Sequence, residues 1–379
     1  MDQHTQIQLL ERAKRHLESD TTDAAAAATR FDARIYADEQ RLAAERVALF
    51  SRLPLVVGCS ALLKQPGDYI ANDWSGTPIL VCRQADGSLK AFLNVCRHRG
   101  TRLVSEKTGH IDKFLVCRYH AWSYDTSGHL RALPCPGYFN EVKKEENGLW
   151  ELRVVERAGL VFVVPERGEF AGPGWEQYAT ELEGFGLADY QIYASKTVFG
   201  KINWKMMIEA NQESYHINFL HRDTAGPRFS AKVSLFDTLG PHTRTLLLHK
   251  QFSTQSLEPD SAAWRVLDHG DLVYFLFPNT LILLSTLAAH VLTAFPQGVD
   301  RSVVQGVTLV PNGTLERFPR PYYEKYWATI LEDISVSEPI QQAASTSTST
   351  ELWLGANECL LAHFHGAVRR AIETTGQVR

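Results

Sequence analysis

The sequence predicts an α+β chain in which an all-β domain precedes an α+β domain built on an antiparallel sheet. Three observations carry this expectation. From Pro54 to about Pro165, short runs rich in Val, Leu, Phe and Tyr are punctuated by Pro66-Gly67, Asp86-Gly87, Asp125 with Gly128, and Pro134 to Gly137, the texture of strands joined by tight turns. Beyond Gly174 helical and strand signals mix. The chain has 379 residues, 44% hydrophobic and 22% charged, enough to build two cores.

The elements follow in order. Residues 1–45 read as a helical segment that packs on the C-terminal domain: MDQHTQIQLLERAKRHLE places Leu9, Leu10, Ala13 and Leu17 on one face, and helical character continues to about Leu49, with Ala24 to Ala28 adding strong helix propensity. Residues 46–165 form the all-β domain and 166–379 the α+β domain. The Gly- and Pro-containing stretch Gly168 to Gly174 separates them. In the second domain Ile202–Phe219 reads as a helix, Val233–Phe252 and Asp271–Val310 as antiparallel strands, and Tyr322–Val336 and Asn357–Ile372 as closing helices. Ser345 to Thr350 reads as a mobile loop.

Composition excludes several function classes. The formal charge is -4 with no block of like charge, so neither nucleic acid nor an anionic membrane is a natural partner. The longest apolar stretch, Leu272 to Ala289, is interrupted by Pro278 and Asn279 and reads as a hairpin, not a membrane span. The N-terminus lacks the apolar core of a signal peptide. Six irregularly spaced cysteines suggest no disulfide framework, which places the chain in a reducing cytoplasm. Cys59, Cys82, Cys135 and Cys359 read as ordinary thiols.

The first chemical signal is FLNVCRHRGTRLV followed by FLVCRYHAWSY. Cys96-x-His98 and Cys117-x-x-His120 are separated by eighteen residues, and each pair follows a strand-like run, hence sits on a loop tip. Two thiolates and two imidazoles suit a [2Fe-2S] centre in which histidines replace cysteines on one iron and raise its potential. Tyr119, Trp122 and Tyr124 would exclude water and tune that potential. A zinc site is the competing reading, because Cys₂His₂ is also tetrahedral zinc chemistry. It is disfavoured because each loop supplies one ligand of each kind.

The second signal lies in KINWKMMIEANQESYHINFLHRDT, which carries Glu209, Asn211, Glu213, His216 and His221. On a regular helix His221 is rotated roughly 140° from His216. One metal can take both only if the helix bends or ends near Phe219. A facial triad of two imidazoles and one carboxylate would leave the opposite face of Fe(II) open, and LEDISVSEP offers Glu332 and Asp333. Residue chemistry alone does not choose between them.

These motifs together resemble the catalytic α subunit of the Rieske non-haem iron oxygenases, also called ring-hydroxylating oxygenases, nearly end to end. The C-x-H…C-x-x-H pattern is met without departure. The family's acidic residue before a Tyr-His pair, then four residues and a second histidine, falls on Glu213, His216 and His221. The late E-D-I segment implies Asp333 as third iron ligand and leaves Glu332 as a solvated or capping neighbour. The resemblance implies an all-β Rieske domain and a helix-grip catalytic domain, its sheet wrapped around a helix. It also implies a [2Fe-2S] cluster on Cys96, His98, Cys117 and His120, a mononuclear Fe(II), O₂ as co-substrate and electrons from NAD(P)H through a ferredoxin or flavin reductase. A homotrimer follows, in which Glu213 bridges a cluster histidine of one subunit to an iron-ligand histidine of the next. Many members have Asp at that position. Glu occurs in relatives acting on quaternary ammonium compounds and also in aromatic oxygenases.

Asn211 is a candidate catalytic or pocket residue, and equally a helix-surface amide. Glu209 either orients an iron-bound water or is an exposed helical carboxylate. Tyr274, Phe275, Phe277, Leu281 and Leu283 either line an apolar pocket or form core. The expected reaction is monooxygenation, hydroxylation or oxidative dealkylation, of an aromatic or quaternary ammonium compound. The alternatives are cis-dihydroxylation, a cluster-bearing electron carrier, and a zinc-stapled ligand-binding protein.

Overall fold

The computed structural model of the protein describes all residues except 167–174, 254–256, 258–260, 347–350 and 378–379. The linker read at Gly168 to Gly174 and most of the loop read at Ser345 to Thr350 lie outside the described residues. The chain divides into two compact units, Arg46–Gly172 and Met1–Glu45 with Pro173–Arg379.

In the smaller unit, β2 (Leu55–Cys59), β3 (Asp68–Asn72), β4 (Ile79–Arg83), β5 (Leu89–Leu93), β6 (Thr108–His110), β10 (Glu151–Arg157) and β11 (Leu160–Val164) form one sheet. Their order is β2-β11-β10-β5-β4-β3-β6, and all pairings are antiparallel. Strand alternation decides what each face covers. Ile79 and Val81 of β4 pack with Val57, Ile70 and Val161, while Leu80 and Cys82 point the other way, toward Phe92, Trp122 and Tyr124. A second sheet of β7 (Leu115–Val116), β8 (Ser123–Tyr124) and β9 (Leu130–Ala132) lies over that second face.

The larger unit is built on β12 (Gln191–Gly200), β13 (Phe229–Leu239), β14 (His242–His249), β15 (Gly270–Leu276), β16 (Thr280–Leu284), β17 (Ala289–Gly298) and β18 (Arg301–Val310). They form an antiparallel sheet ordered β12-β18-β17-β16-β15-β14-β13. The apolar run at Leu272 is the expected hairpin, β15 against β16. No helix among the described residues is long and apolar enough to cross a membrane. Register places Val273, Leu283, His290 and Thr308 in one cross-strand row, on the face covered by α7 (Arg320–Ala344), where Tyr326 stacks on His290. Tyr274 faces the other way: its hydroxyl donates to Glu181 of α3 (Trp175–Glu183) at 2.8 Å. The five residues read as one pocket wall are therefore split between two faces of the sheet.

Helices α1 (Gln3–Ser19), α2 (Glu39–Glu45), the single turn α6 (Val266–His269) and α8 (Cys359–Gln377) also belong to this unit. Two sequence expectations fail here. Residues Ala24 to Ala28 are not helical. Asp20 ends α1 in the left-handed region, and Asp23 is held by His16 Nε2 (2.8 Å) and the Phe236 amide (2.8 Å), so tertiary contacts override local propensity. From there β1 (Thr29–Asp32) pairs with β19 (Glu351–Leu354). Helix α7 also runs past Val336, through Pro339 to Ala344. Its last turns are held by buried Gln341, which accepts from the Asn203 amide (2.8 Å) and donates to the Tyr36 carbonyl (3.0 Å).

Candidate cluster and metal sites

The two cluster loops of the smaller unit are built alike. In the first, the Cys96 amide donates to the Thr101 carbonyl and the Gly100 amide to the Cys96 carbonyl (2.8 and 2.9 Å). In the second, the Cys117 amide donates to the Trp122 carbonyl and the Ala121 amide to the Cys117 carbonyl, at the same two distances. The residue four beyond each cysteine is left-handed, Gly100 at φ +72° and Ala121 at φ +55°. Both thiols are buried. The His98 and His120 rings lie 4.5 Å apart.

Surrounding groups brace this set. His98 stacks on Trp122 (5.1 Å, 9°) and its buried Nδ1 has no hydrogen-bond partner among the described residues. The Tyr124 hydroxyl lies 3.4 Å from Cys96 Sγ and accepts from the Arg97 amide at 3.1 Å. Burial pushes the Cys96 thiol up, against the pull of Tyr124. Tyr119 packs on His120 but is 53% exposed, so it does not exclude water as expected. Two buried thiols beside an imidazole pair with an orphaned ring nitrogen fit a [2Fe-2S] group. Cys59 and Cys82, which burial pushes up to about 12, are inert core thiols.

The second site, in the larger unit, begins with α4 (Trp204–Glu209), all six residues of which are buried. Lys205 and Glu45, both without exposure, pair at 2.9 Å, and Trp204 Nε1 also donates to Glu45 (2.9 Å). The expected continuous helix to Phe219 does not form. The chain turns after Glu209 and resumes as α5 (Ile217–Leu220), a single turn with His216 at its N-cap and His221 at its C-cap. Neither histidine lies inside the helix, so the 140° offset does not arise. Gly226 closes the turn by donating its amide to the His221 carbonyl (2.7 Å).

Asp333 of α7 faces both rings. Its Oδ1 lies 3.0 Å from His221 Nε2 and 3.7 Å from His216 Nε2. Ligand atoms of all three residues fall within 4.8 Å of one another. His221 Nε2 and Asp333 Oδ1 are buried facing each other, and among the described residues neither makes a well-formed hydrogen bond, as expected of ligand atoms converging on a cation. Each outer nitrogen meets a carboxylate: His216 Nδ1 meets Glu213, and His221 Nδ1 meets Glu332 Oε2 at 2.6 Å. Such partners fix ring orientation and raise ligand basicity. Burial works against protonating either histidine, but the neighbouring carboxylates outweigh it and hold both pKa values above the usual imidazole value. Burial raises the Asp333 carboxyl despite the two histidines. This donor set fits a mononuclear Fe(II).

Several residues differ from expectation. Glu332 is not merely solvated or capping, since it anchors His221 and accepts from the Thr224 hydroxyl (2.6 Å). No local signal marks it, because its partners lie more than a hundred residues away. Glu209 is not exposed: it is buried, accepts from the Tyr36 hydroxyl (2.5 Å) and lies 3.2 Å from His365 Nε2. Asn211 is tied to α4, its amide donating to the Met207 carbonyl at 3.1 Å.

Comparison with known proteins matches the regions of the chain in which the two sites lie. Residues 54–144 match the Rieske [2Fe-2S] domain, and residues 187–374 the catalytic domain of the ring hydroxylating alpha subunit. The chain belongs to the family of Rieske non-haem iron oxygenase α subunits. It is 37% identical over 167 residues to the chlorobenzene dioxygenase subunit alpha of Cupriavidus sp. (strain PS12), covering 44% of this chain and 34% of that one. It is 30% identical over 191 residues to the glycine betaine monooxygenase oxygenase subunit of Pseudomonas aeruginosa (strain UCBPP-PA14), covering 49% and 43%. The chain thus spans about a third to two-fifths of the length of these curated relatives. Among solved structures, the quaternary ammonium Rieske monooxygenase CntA superposes with TM-score 0.80 at 22% identity, over 92% of this chain and 96% of that one. Naphthalene 1,2-dioxygenase gives 0.76 at 21%, over 93% of each.

Proposed function

We propose that the chain is an oxygenase subunit that uses O₂ and externally supplied electrons to oxygenate a small organic substrate. Monooxygenation of an aromatic or quaternary ammonium compound is the favoured reaction. The carrying observation is that one chain holds a buried Cys₂His₂ set and, separately, two anchored histidines converging on a buried carboxylate. Cys96, His98, Cys117 and His120 would hold the cluster, and His216, His221 and Asp333 the iron. When bound, these groups supply one-electron transfer and O₂ activation.

The chain's own residues would set the conditions for that chemistry. Glu213 accepts a hydrogen bond from His216 Nδ1–H, and Glu332 accepts one from His221 Nδ1–H, so the Nε2 atom of each ring is turned toward Asp333. Burial of Asp333 and His221 keeps bulk water from two of the three ligands. In the assembly we propose, a homotrimer, Glu213 would also reach a cluster histidine of the neighbouring subunit. A ferredoxin or flavin reductase would deliver electrons from NAD(P)H, and a cytoplasmic location suits six free thiols.

Metal and labile sulfide analysis, with oxygen uptake against a panel of aromatic acids and trimethylammonium compounds in the presence of a generic reductase, tests this reading. Iron beyond the cluster's own pair and substrate-stimulated uptake are expected. A colourless protein holding zinc and no sulfide would exclude the cluster. Absence of uptake with iron in place would exclude the oxygenase. cis-Dihydroxylation is the second reading, favoured by the 37% identity to a chlorobenzene dioxygenase subunit, and product analysis separates the two.

A further inference from the structure

His290 on β17 is 1% exposed, and its Nε2 is buried without a hydrogen-bond partner among the described residues. Its Nδ1 is matched to the Thr308 hydroxyl at 2.9 Å. A buried ring nitrogen left unpaired costs free energy unless something satisfies it. What lies beside it is informative. Tyr326 stacks face to face on the imidazole (3.7 Å, 10°), with Tyr322 further out (5.7 Å, 21°).

Both tyrosines share a face of α7 with Asp333, since positions 322, 326 and 333 fall within about 40° around a helix. Tyr326 is about 10 Å along the axis from Asp333. Leu283, cross-strand neighbour of His290, sits mid-strand in the sheet, yet it and both tyrosines keep partial exposure. These three side chains thus keep some surface next to the stacked pair, on the Asp333 side of the sheet. The charges beside Tyr322 cancel: Arg228 forks onto Asp271 (2.6 and 3.1 Å) within reach of the Tyr322 ring.

We propose that His290, held flat against Tyr326, is the specificity-determining residue of the substrate pocket and selects an aromatic substrate bearing a hydroxyl group. This rests on His216, His221 and Asp333 being the metal site of an oxygenase. The reasoning is chemical. Burial holds the His290 imidazole down to about 3, so it is neutral and offers one hydrogen bond, not a charge. Whether Nδ1 donates to Thr308 or accepts from it, Nε2 is left as the complementary partner, and a hydroxyl serves either tautomer because it both donates and accepts. Partly exposed Tyr326 and Leu283 suit a planar ring. Among the described residues, Arg228 and Asp271 beside Tyr322 are paired with each other and offer a permanently charged substrate no countercharge there.

The test is equilibrium dialysis of the full-length protein against 2-naphthol, naphthalene and glycine betaine. Wild-type protein should bind 2-naphthol about three- to tenfold more tightly than naphthalene, the worth of one net hydrogen bond. His290→Phe should erase that preference and leave naphthalene binding intact. Should that variant fail to fold, Thr308→Val, which frees the ring from its Nδ1 partner, must shrink the preference. A preference that survives both substitutions overturns the proposal, as does failure to bind either aromatic or tighter binding of glycine betaine. Oxygen uptake is followed separately: no uptake with the preference intact counts against the oxygenase reading alone, whereas product formation without the preference counts against His290 alone.

Discussion

Glu332 Oε2 lies 2.6 Å from His221 Nδ1, while the next residue, Asp333, faces the opposite nitrogen of the same ring at 3.0 Å. Two consecutive carboxylates of α7 thus grip one imidazole from both ends. Glu332→Ala should leave the fold intact and weaken Fe(II) binding about 10- to 100-fold. Metal titration of the apo-protein checks this, and Glu332→Asp should recover part of the loss.

Glu213 already meets His216 within its own chain. Glu213→Gln should spare cluster and iron content but uncouple cluster oxidation from product formation. Unchanged single-turnover product yield would remove Glu213 from the electron path.

The Glu45–Lys205 pair is wholly buried, and burial pulls the Lys205 ammonium down against the attraction of Glu45. Lys205→Met leaves the buried Glu45 carboxylate with Arg41 (3.1 Å) and the Trp204 indole (2.9 Å) as partners and should cost up to about 3 kcal/mol in urea unfolding. The double variant with Glu45→Leu should regain much of that, because the charge left, Arg41, is partly exposed.

His290 sets a pH dependence. Its folded pKa is about 3 against 6.5 for the free side chain, so between these values the unfolded chain binds more protons. Stability contributed by neutral His290 is present above pH 6.5 and falls as pH drops, by about 1.4 kcal/mol per unit. His290→Phe should flatten the urea-derived stability profile between pH 6.5 and 5. An unaltered slope would show that the imidazole is not buried neutral.

Much of this arrangement is legible in the chain. The cluster loops are local: each motif sits within a few residues of a strand, and turn chemistry fixes it. The hairpin at Pro278 and the antiparallel sheet follow from period and punctuation. What is not legible depends on contacts between distant segments. The break between Glu209 and His216 carries no Gly or Pro to announce it, the anchoring role of Glu332 needs α7 to be docked, and the burial of Glu209 needs Tyr36. Ala24 to Ala28 fail as helix because Asp23 is committed elsewhere.

Because His216 and His221 stand at the two ends of one helical turn, the four residues between them work as a gauge block. Exposed Asn218 and Phe219 are free to vary, whereas buried Ile217 must stay apolar, and the number of residues is fixed. One residue more or fewer would swing the second imidazole away from Asp333 whatever side chains filled the gap. The spacing of this pair is thus a measured length, which a mutational library should tolerate in composition and reject in insertions.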